Sequence, residues 1–156
     1  MAKADSATRF SLNSSINFLL RLLLLLLPLI CGASNEPNIE GEALIEFLTA
    51  LKDSNDKIKD WDSHFVSPCF SWSHVTCING SVVSLDLQHN SLSGGLPDSL
   101  SSMSNLQNLN LAHNNFNGSI PSSWGQLSNL KHLDLSSNDF TGKIPQQLFS
   151  IPTFKY

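Results

Sequence analysis

Hydrophobic positions in the second half of the chain recur with a fixed period of 24 residues. Three segments, which begin at Val82, Leu106 and Leu130, align from residue 82 to residue 153 without insertion or deletion. Each opens with the pattern LxxLxL and continues through an asparagine, a glycine and a proline. The aligned positions are Leu85, Leu109 and Leu133; Leu87, Leu111 and Leu135; Asn90, Asn114 and Asn138; Gly94, Gly118 and Gly142; Pro97, Pro121 and Pro145. Such self-similarity predicts a stack of repeats.

The pattern within each repeat predicts a short strand, a turn and a returning segment. Alternate side chains of LxxLxL point inward, and strands of successive repeats form a parallel sheet. The three asparagines can bond backbone groups of the neighbouring coil, although unrelated surface asparagines are the alternative. The glycines permit a backbone conformation that side chains disfavour, and the prolines fix φ on the convex side. The back of the core is expected to contain Leu100, Trp124, Leu148, Met103, Leu127 and Ile151.

A different pattern precedes the repeats. Residues 42–51 place apolar side chains on one helical face, which predicts an α-helix; they are Ala43, Leu44, Phe47, Leu48 and Leu51. The first repeat would expose its apolar edge without a cover. We therefore predict an α/β solenoid in which an N-terminal cap (residues 34–81) precedes three repeats (82–105, 106–129 and 130–153) and the start of a fourth, up to residue 156. Trp61 and Trp72 are expected to complete the cap.

The first 33 residues are predicted to be a signal peptide. A weakly basic start leads into an apolar core at 18–30, which is shorter than the ~20 residues that a helix needs to span a bilayer. Small residues follow at Gly32, Ala33 and Ser34, as signal-peptidase cleavage requires. The alternative is an uncleaved membrane anchor. Nothing later in the chain is apolar enough to span a membrane, so the product is expected to be exported and to lack a transmembrane helix of its own.

Cysteine usage is consistent with export. Cys31 leaves with the signal peptide, so Cys69 and Cys77 remain and form a natural disulfide pair in an oxidising compartment. Closure of so short a loop would contribute about 2.5 kcal/mol. The alternative is a zinc site, but that requires four ligands and only His74 lies near the two thiols; we expect no metal and no cofactor. Export would also make Asn79 and Asn117, each followed by Gly-Ser, glycosylation sites.

The exposed positions of the predicted strands form a polar face that suits hydrogen bonding to a peptide or a protein loop. Its candidate protein-binding residues are Asp86, Gln88, His89, Asn110, His113, His132, Asp134 and Ser136. The alternative is that these positions are exposed to solvent and bind no partner. His89 and His113 share one column and could respond to acidic pH, or could be unrelated surface histidines. The net charge of −4 disfavours nucleic acid and anionic membranes as partners.

Catalysis is not expected of this chain. Asp, His and Ser side chains on an open sheet would lack the buried carboxylate and the oxyanion hole of a hydrolase. The sequence also lacks the Gly-rich loop, HRD and DFG motifs of a kinase.

The helix, the stretch SPCFSWSHVTC that runs from Ser67 to Cys77, and the NxLxGxIP repeats resemble ectodomains of plant leucine-rich-repeat receptor-like kinases. Within that family they are most similar to the clade of the somatic embryogenesis receptor kinases, which includes a kinase-like member described as inactive. The resemblance implies a right-handed coil with a helical, disulfide-bonded cap. It also implies partner contacts at Val66 and His74. Ser73 replaces a usual aromatic residue, and C-x₇-C replaces C-x₆-C.

The resemblance predicts an extracellular co-receptor-like binding module that docks on a plasma-membrane leucine-rich-repeat receptor, on its peptide ligand, or on both. The chain is expected to be truncated before the transmembrane and kinase parts and to reside in the apoplast. The plasma membrane is the alternative location if the signal is uncleaved or the chain is a fragment. Alternative functions are inhibition of a cell-wall polygalacturonase and a truncated duplicate without a role; an assay against pectin-degrading enzymes would separate the first from co-receptor binding.

Overall fold

The computed structural model describes residues 38–53, 58–61 and 67–156. The predicted signal peptide therefore lies outside the described residues. Helix α1 spans Ile39–Ala50, and the Asn38 side chain caps it by accepting the Gly41 N–H at 2.9 Å. This confirms the predicted helix and begins it three residues earlier, because an asparagine satisfies one of the N–H groups that the first turn leaves unpaired. Ala43, Leu44 and Phe47 are buried, as the pattern predicts.

Two sheets build the body that follows the helix. The first has the order β2-β3-β5-β7-β9, with β2 at Val75–Ile78, β3 at Ser81–Asp86, β5 at Asn108–Asn110, β7 at His132–Asp134 and β9 at Thr153–Lys155. The pair β2–β3 is an antiparallel hairpin, and every later pair in this sheet is parallel. Strands β3, β5 and β7 are the predicted LxxLxL segments, and their register repeats every 24 residues.

The second sheet was not predicted. It has the order β1-β4-β6-β8, with β1 at Lys52–Asp53, β4 at Leu92–Gly95, β6 at Asn115–Gly118 and β8 at Asp139–Phe140. Strands β4, β6 and β8 directly follow the turn of each repeat; Leu92 in β4 and Phe116 in β6 are buried, and Phe140 in β8 is partly buried. Because each strand has only two to four residues, its single buried position gives no alternating pattern to recognise.

Short 3-10 helices close the back of each repeat, at Asp98–Ser102, Ser122–Gln126 and Gln146–Ser150. Leu100, Trp124 and Leu148 are fully buried there, and Met103 and Leu127 lie beside them in the core, as predicted. Ile151 is half-buried. The Trp124 indole N–H donates to the Pro97 carbonyl at 3.1 Å, which ties the second repeat to the first.

The asparagine positions form a ladder between repeats, as predicted. The Asn114 amide nitrogen donates to the carbonyls of Leu87, Leu111 and Ala112 at 2.8–3.2 Å. Its oxygen accepts the N–H groups of Asn90 and Leu92 at 3.1 and 3.0 Å. Asn138 repeats the arrangement one coil later and accepts the Phe116 N–H at 3.1 Å. These bonds satisfy backbone groups that the turn removes from both sheets.

A carboxylate joins the cap to the first repeat, and aromatic and disulfide contacts hold the cap itself together. The Glu40 carboxylate accepts the Val82 N–H at 2.9 Å, so the helix fixes the start of β3. Trp61 and Trp72 stack with ring centroids 5.4 Å apart, and the Trp61 indole donates to the Ser73 carbonyl at 2.9 Å. Cys69 and Cys77 are joined by a disulfide, which confirms the predicted pairing.

The apolar side chains of the last full repeat are better covered than the repeat pattern predicts. Each repeat is covered by its neighbour, so without a further full coil we expect Leu133, Leu135, Ile144, Leu148 and Ile151 to be half-exposed. Ile144 and Ile151 are only partly buried, but the three leucines are at most 1% exposed. Strand β9 pairs with β7 and brings Phe154 opposite Leu133, so the start of a fourth repeat already covers these leucines. The exposed apolar surface at this edge belongs instead to Phe149 (63% exposed) and Tyr156 (56%), which flank Phe154.

Candidate binding face

The outward side of the five-stranded sheet, here called the strand face, carries polar side chains in two rows that run across the strands. The parallel register aligns Ser84, Asn108, His132 and Thr153 in the first row. It aligns Asp86, Asn110, Asp134 and Lys155 in the second row. Neighbouring strands lie ~4.8 Å apart, so each row offers hydrogen-bonding groups at a regular spacing.

The second row also serves the fold. Asp86 accepts the N–H of Gln88 at 3.3 Å, and Asp134 accepts that of Ser136 at 3.1 Å. Asn110 accepts the N–H of Ala112 in the same way at 3.2 Å. This bond to the backbone two residues ahead explains why only Asp and Asn occupy the row in the three repeats: their short side chains complete the turn that leaves each strand.

The Asp134 carboxylate forms an ion pair and several hydrogen bonds on the strand face. Lys155 donates to one carboxylate oxygen at 2.8 Å, and the Ser136 hydroxyl donates to the other at 2.6 Å. Partial burial alone would raise the pKa of Asp134, but the hydrogen bonds from Lys155 and Ser136 outweigh it and hold that pKa below its usual value. Lys155 thus belongs to the face, although the sequence pattern did not mark it because β9 lies beyond the third full repeat.

A shallow depression of about 190 Å³ lies between β5, β7 and β9. Asn108, Asn110, His132, Asp134, Thr153 and Lys155 line it. It combines amide, imidazole, carboxylate, hydroxyl and ammonium groups, so it can accept and donate hydrogen bonds. Its small volume suits one side chain of a partner better than a whole small molecule, since ligand pockets usually measure ~300–1,000 Å³.

The turns after the strands present two histidines. His89 and His113 have φ values of 57° and 55°, in the left-handed region, and Ser137 repeats this at 56° in the third repeat. Their fixed conformation stacks the two imidazole rings nearly parallel, with centroids 4.3 Å apart. The predicted shared column is therefore confirmed. Gln88 is exposed beside them, whereas Ala112, which occupies the same position in the next repeat, is buried.

The cap borders the strand face at His74. Its carbonyl accepts the Asp86 N–H at 2.9 Å, which places His74 beside the second row, and its side chain is exposed. The preceding residue, Ser73, donates to Asp60 from its N–H at 2.5 Å and from its hydroxyl at 2.7 Å. Burial alone would raise the pKa of Asp60, but these bonds from Ser73 outweigh it and lower the pKa. Val66, the other predicted cap contact, lies outside the described residues.

Both sequons lie away from the two rows. Asn79 is exposed at the tip of the β2–β3 hairpin, where φ values of 52° for Asn79 and 80° for Gly80 suit a tight turn. Asn117 is exposed on β6 of the other sheet. Glycosylation at these two positions remains a prediction.

Other kinds of site find little support in this part of the chain. Among the residues that the structure describes, no three His, Cys, Asp or Glu side chains are grouped so that they could hold a metal ion. No helix within residues 38–53, 58–61 and 67–156 is long and apolar enough to cross a membrane.

Comparison with known protein families supports the repeat pattern. Residues 80–150 match the leucine-rich repeat family, and residues 37–78 match the leucine-rich repeat N-terminal domain. The chain is 48% identical over 77 residues to a probable LRR receptor-like serine/threonine-protein kinase of Arabidopsis thaliana. That match covers 49% of this chain but only 12% of the relative, so the chain spans a small part of the relative's length.

Solved structures with the same fold include plant receptor ectodomains. The crystal structure of PEPR1–AtPEP1 is similar with a TM-score of 0.67 and 35% identity, over 73% of this chain and 16% of that one. A chain of the BIR3–SERK2 complex from Arabidopsis thaliana is similar with a TM-score of 0.63 and 34% identity, over 69% of this chain and 60% of that one. Both comparisons support a leucine-rich-repeat solenoid.

Proposed function

We propose that this chain, which matches leucine-rich-repeat family models and is similar to a plant receptor-like kinase, is an extracellular protein-binding module of the co-receptor type. Its partner would be a second leucine-rich-repeat ectodomain, the peptide ligand of such a receptor, or both. The observation that carries the proposal is the strand face, where two polar rows cross successive strands in register.

The strand face has features of a protein-binding surface. The rows are held rigidly, because the strands are paired and the second-row side chains are tied to the backbone. Preorganised polar groups lose less conformational entropy when a partner binds. The amides of Asn108 and Asn110 can both donate to and accept from a peptide backbone.

Relatives support a partner of this class. One similar structure is that of PEPR1–AtPEP1, and another is the BIR3–SERK2 complex, so both contain two named components. A role close to the somatic embryogenesis receptor kinases is the finer form of our proposal. Export belongs to the same proposal. The signal peptide would direct the chain out of the cell, and an apoplastic location and glycans at Asn79 and Asn117 would follow from export.

The first row provides the cleanest test of this proposal. Within the described residues, the side chains of Ser84 and Asn108 make no hydrogen bond that stabilises the fold, so their replacement should affect binding more than stability. We would replace both with arginine and measure binding to a panel of purified plant leucine-rich-repeat receptor ectodomains, each with and without its peptide. A partner found for the wild type should bind the Ser84→Arg/Asn108→Arg variant at least about tenfold more weakly, since bulky charges would interrupt the packed interface.

A matched control places the same charges elsewhere. Ser104 and Gln126 are exposed near the 3-10 helices on the opposite side, and the Ser104→Arg/Gln126→Arg variant should bind like the wild type. Equal loss of binding in both variants would indicate a general charge effect. Unchanged binding in the strand-face variant would show that the partner uses another surface.

A further inference from the structure

The two rows of the strand face differ in what their side chains already bind. In the second row, Asp86, Asn110 and Asp134 each accept a backbone N–H two residues ahead. Lys155, the fourth member, is paired with Asp134. Within the described residues, the side chains of the first row make no hydrogen bond. The fold therefore uses the polar groups of the second row and leaves those of the first row available to a partner.

The first row continues onto the hairpin strand β2. Thr76 lies directly opposite Ser84 in the antiparallel pair, so both side chains point to the same face of the sheet. The Thr76 side chain is exposed and, like the first row, has no hydrogen-bond partner in the described part of the chain. The continued row, here called the extended first row, crosses all five strands and consists of Thr76, Ser84, Asn108, His132 and Thr153.

The side chains of the extended first row share one hydrogen-bonding character. Each is a hydroxyl, an amide or an imidazole, and all three groups donate hydrogen bonds. None is a carboxylate, an ammonium or a guanidinium group, so the row does not select a partner by a fixed charge. A row of neutral donors matches the free carbonyl groups of a polypeptide main chain.

We propose that the extended first row binds the main chain of a polyproline II segment of the partner, and that this segment runs across the strands. Thr76, Asn108 and Thr153 donate to carbonyl groups that are three residues apart in the segment. This inference rests on the proposed function, in which the strand face is the binding surface. It adds which row makes the contacts and which conformation the partner adopts.

The spacing of the strands favours this conformation. Neighbouring strands lie ~4.8 Å apart, so side chains on alternate strands of one row are about 9.6 Å apart. A polyproline II helix has three residues per turn and rises ~3.1 Å per residue, so equivalent carbonyl groups recur every ~9.3 Å. The two repeats differ by only about 0.3 Å per turn. Three successive carbonyl groups on one side of the segment therefore meet Thr76, Asn108 and Thr153 in register, since these residues lie on alternate strands.

Other conformations of a partner segment fit the row less well. An extended β-strand presents equivalent groups every ~6.7 Å, a distance between one and two strand spacings. An α-helix has a pitch of ~5.4 Å, and its carbonyl groups are already bonded within the helix. The carbonyl groups of a polyproline II segment have no internal partner, and its preformed chain loses little conformational entropy on binding.

The shallow depression on the strand face lies between two of the three contact points. Its lining includes Asn108 and Thr153, and His132 stands between them in the row. A side chain or prolyl ring that lies between two bonded carbonyl groups of the segment would enter this depression. The volume of about 190 Å³ suits one such group.

The test uses oligoprolines with acetylated and amidated ends, which adopt this conformation and carry no terminal charge. Amide chemical shifts of the isotope-labelled chain, followed during titration, give dissociation constants for peptides of four and seven residues. Four residues reach two contact points and seven residues reach all three. We therefore expect the longer peptide to bind about threefold or more tightly, the gain from one further hydrogen bond. A Gly-Ser peptide of seven residues is the flexible control and should bind more weakly than the oligoproline of that length.

Two variants locate the contacts. Thr76→Val/Thr153→Val keeps the branched shape of both side chains and removes their hydroxyls. It should weaken binding of the seven-residue oligoproline at least about fivefold, and the gain from four to seven residues should disappear. Thr141→Val makes the same change at an exposed threonine that follows β8 of the other sheet, and it should bind like the wild type. Far-ultraviolet circular dichroism checks that each variant is folded.

Three results would overturn the inference: oligoprolines of four and seven residues that bind the wild type equally or not at all, a Thr76→Val/Thr153→Val variant that binds like the wild type, or tighter binding of the Gly-Ser peptide or of a neutral glucose oligosaccharide. The proposed function stays separately testable. A receptor ectodomain that binds the wild type and Thr76→Val/Thr153→Val equally, but not Ser84→Arg/Asn108→Arg, would support that function and contradict this chemistry.

Discussion

At the scale of single residues, asparagine and aspartate side chains replace backbone hydrogen bonds that the repeats interrupt. Asn114 and Asn138 bond the turns of adjacent coils, whereas Asp86 and Asp134 bond the backbone of their own turn. The sequence predicted the first role from the fixed spacing of the asparagines. It did not predict the second role, because those aspartates lie at outward-facing positions, where the repeat pattern requires only a polar residue.

We predict that Asn114→Ala destabilises the chain by about 3 kcal/mol or more, because it leaves several buried N–H and C=O groups without partners and each costs ~1–3 kcal/mol. Urea denaturation followed by tryptophan fluorescence would measure the loss. Asn115→Ala is the matched control, since Asn115 is adjacent and exposed, and should change stability little. Similar midpoints for the two variants would mean that the ladder contributes no net stability.

Asp134 predicts a dependence of stability on pH. Its folded-state pKa is lowered, so its contribution is complete above the unfolded pKa of about 3.9 and is lost as the pH falls through the folded value. We expect the urea midpoint of the wild type to drop more between about pH 6 and about pH 3 than that of Asp134→Asn, which has no carboxylate to protonate. Asp139→Asn, at an exposed position, is the control and should follow the wild type. A parallel drop in all three proteins would contradict this account.

At the scale of elements, two strands and one 3-10 helix of each repeat lie beside their equivalents in the next repeat. Gly125, in the second 3-10 helix, is a point of close approach: a Cβ there would lie 2.6 Å from the Gln147 Cβ and 3.0 Å from its Cγ. The first and third repeats have Ser101 and Phe149 at this position. The sequence pattern gave no reason to single out Gly125, because the constraint comes from a side chain 22 positions away.

We therefore predict that Gly125→Ala destabilises the protein by ~1–3 kcal/mol, the usual cost of overpacking, even though alanine favours helical conformations. Gly95→Ala is a suitable comparison, because its nearest neighbour would be the Asn117 carbonyl oxygen at 3.9 Å. The melting temperatures of the two variants, measured by thermal denaturation, test this prediction. A Gly125→Ala protein as stable as the Gly95→Ala protein would show that Gln147 moves aside without cost.

At the scale of the whole molecule, the 24-residue period determined most of the fold that could be predicted. It predicted strands β3, β5 and β7 of the first sheet, the buried leucines and the asparagine ladder. The second sheet and the pairing of β9 with β7 were not predicted, because these strands contain too few residues to show an alternation of buried and exposed positions. The strand face was predicted from the alternation of the strands, but Thr153 and Lys155 were omitted and the burial of Ala112 was not anticipated.

The aromatic side chains around Phe154 predict how the chain of residues 1–156 behaves when it is studied by itself. Phe149 and Tyr156 are exposed beside Phe154, and contiguous exposed apolar surface favours association. Sedimentation velocity over a range of concentrations should show self-association that Phe149→Glu/Tyr156→Glu reduces. Phe70→Glu alters an even more exposed aromatic residue (90%) in the cap and should not reduce it. A wild type that stays monomeric at all concentrations would contradict the prediction.

The central claim is that the strand face is the surface that binds protein partners. Hydrogen–deuterium exchange of the chain, free and bound to a receptor ectodomain found in the binding panel, tests it most directly. The account predicts slower exchange in the bound state at 84–89, 108–113 and 132–137, and unchanged exchange in the 3-10 helices at Asp98–Ser102 and Ser122–Gln126. Protection confined to those 3-10 helices, or to the second sheet, with no change along the strand face, would contradict it.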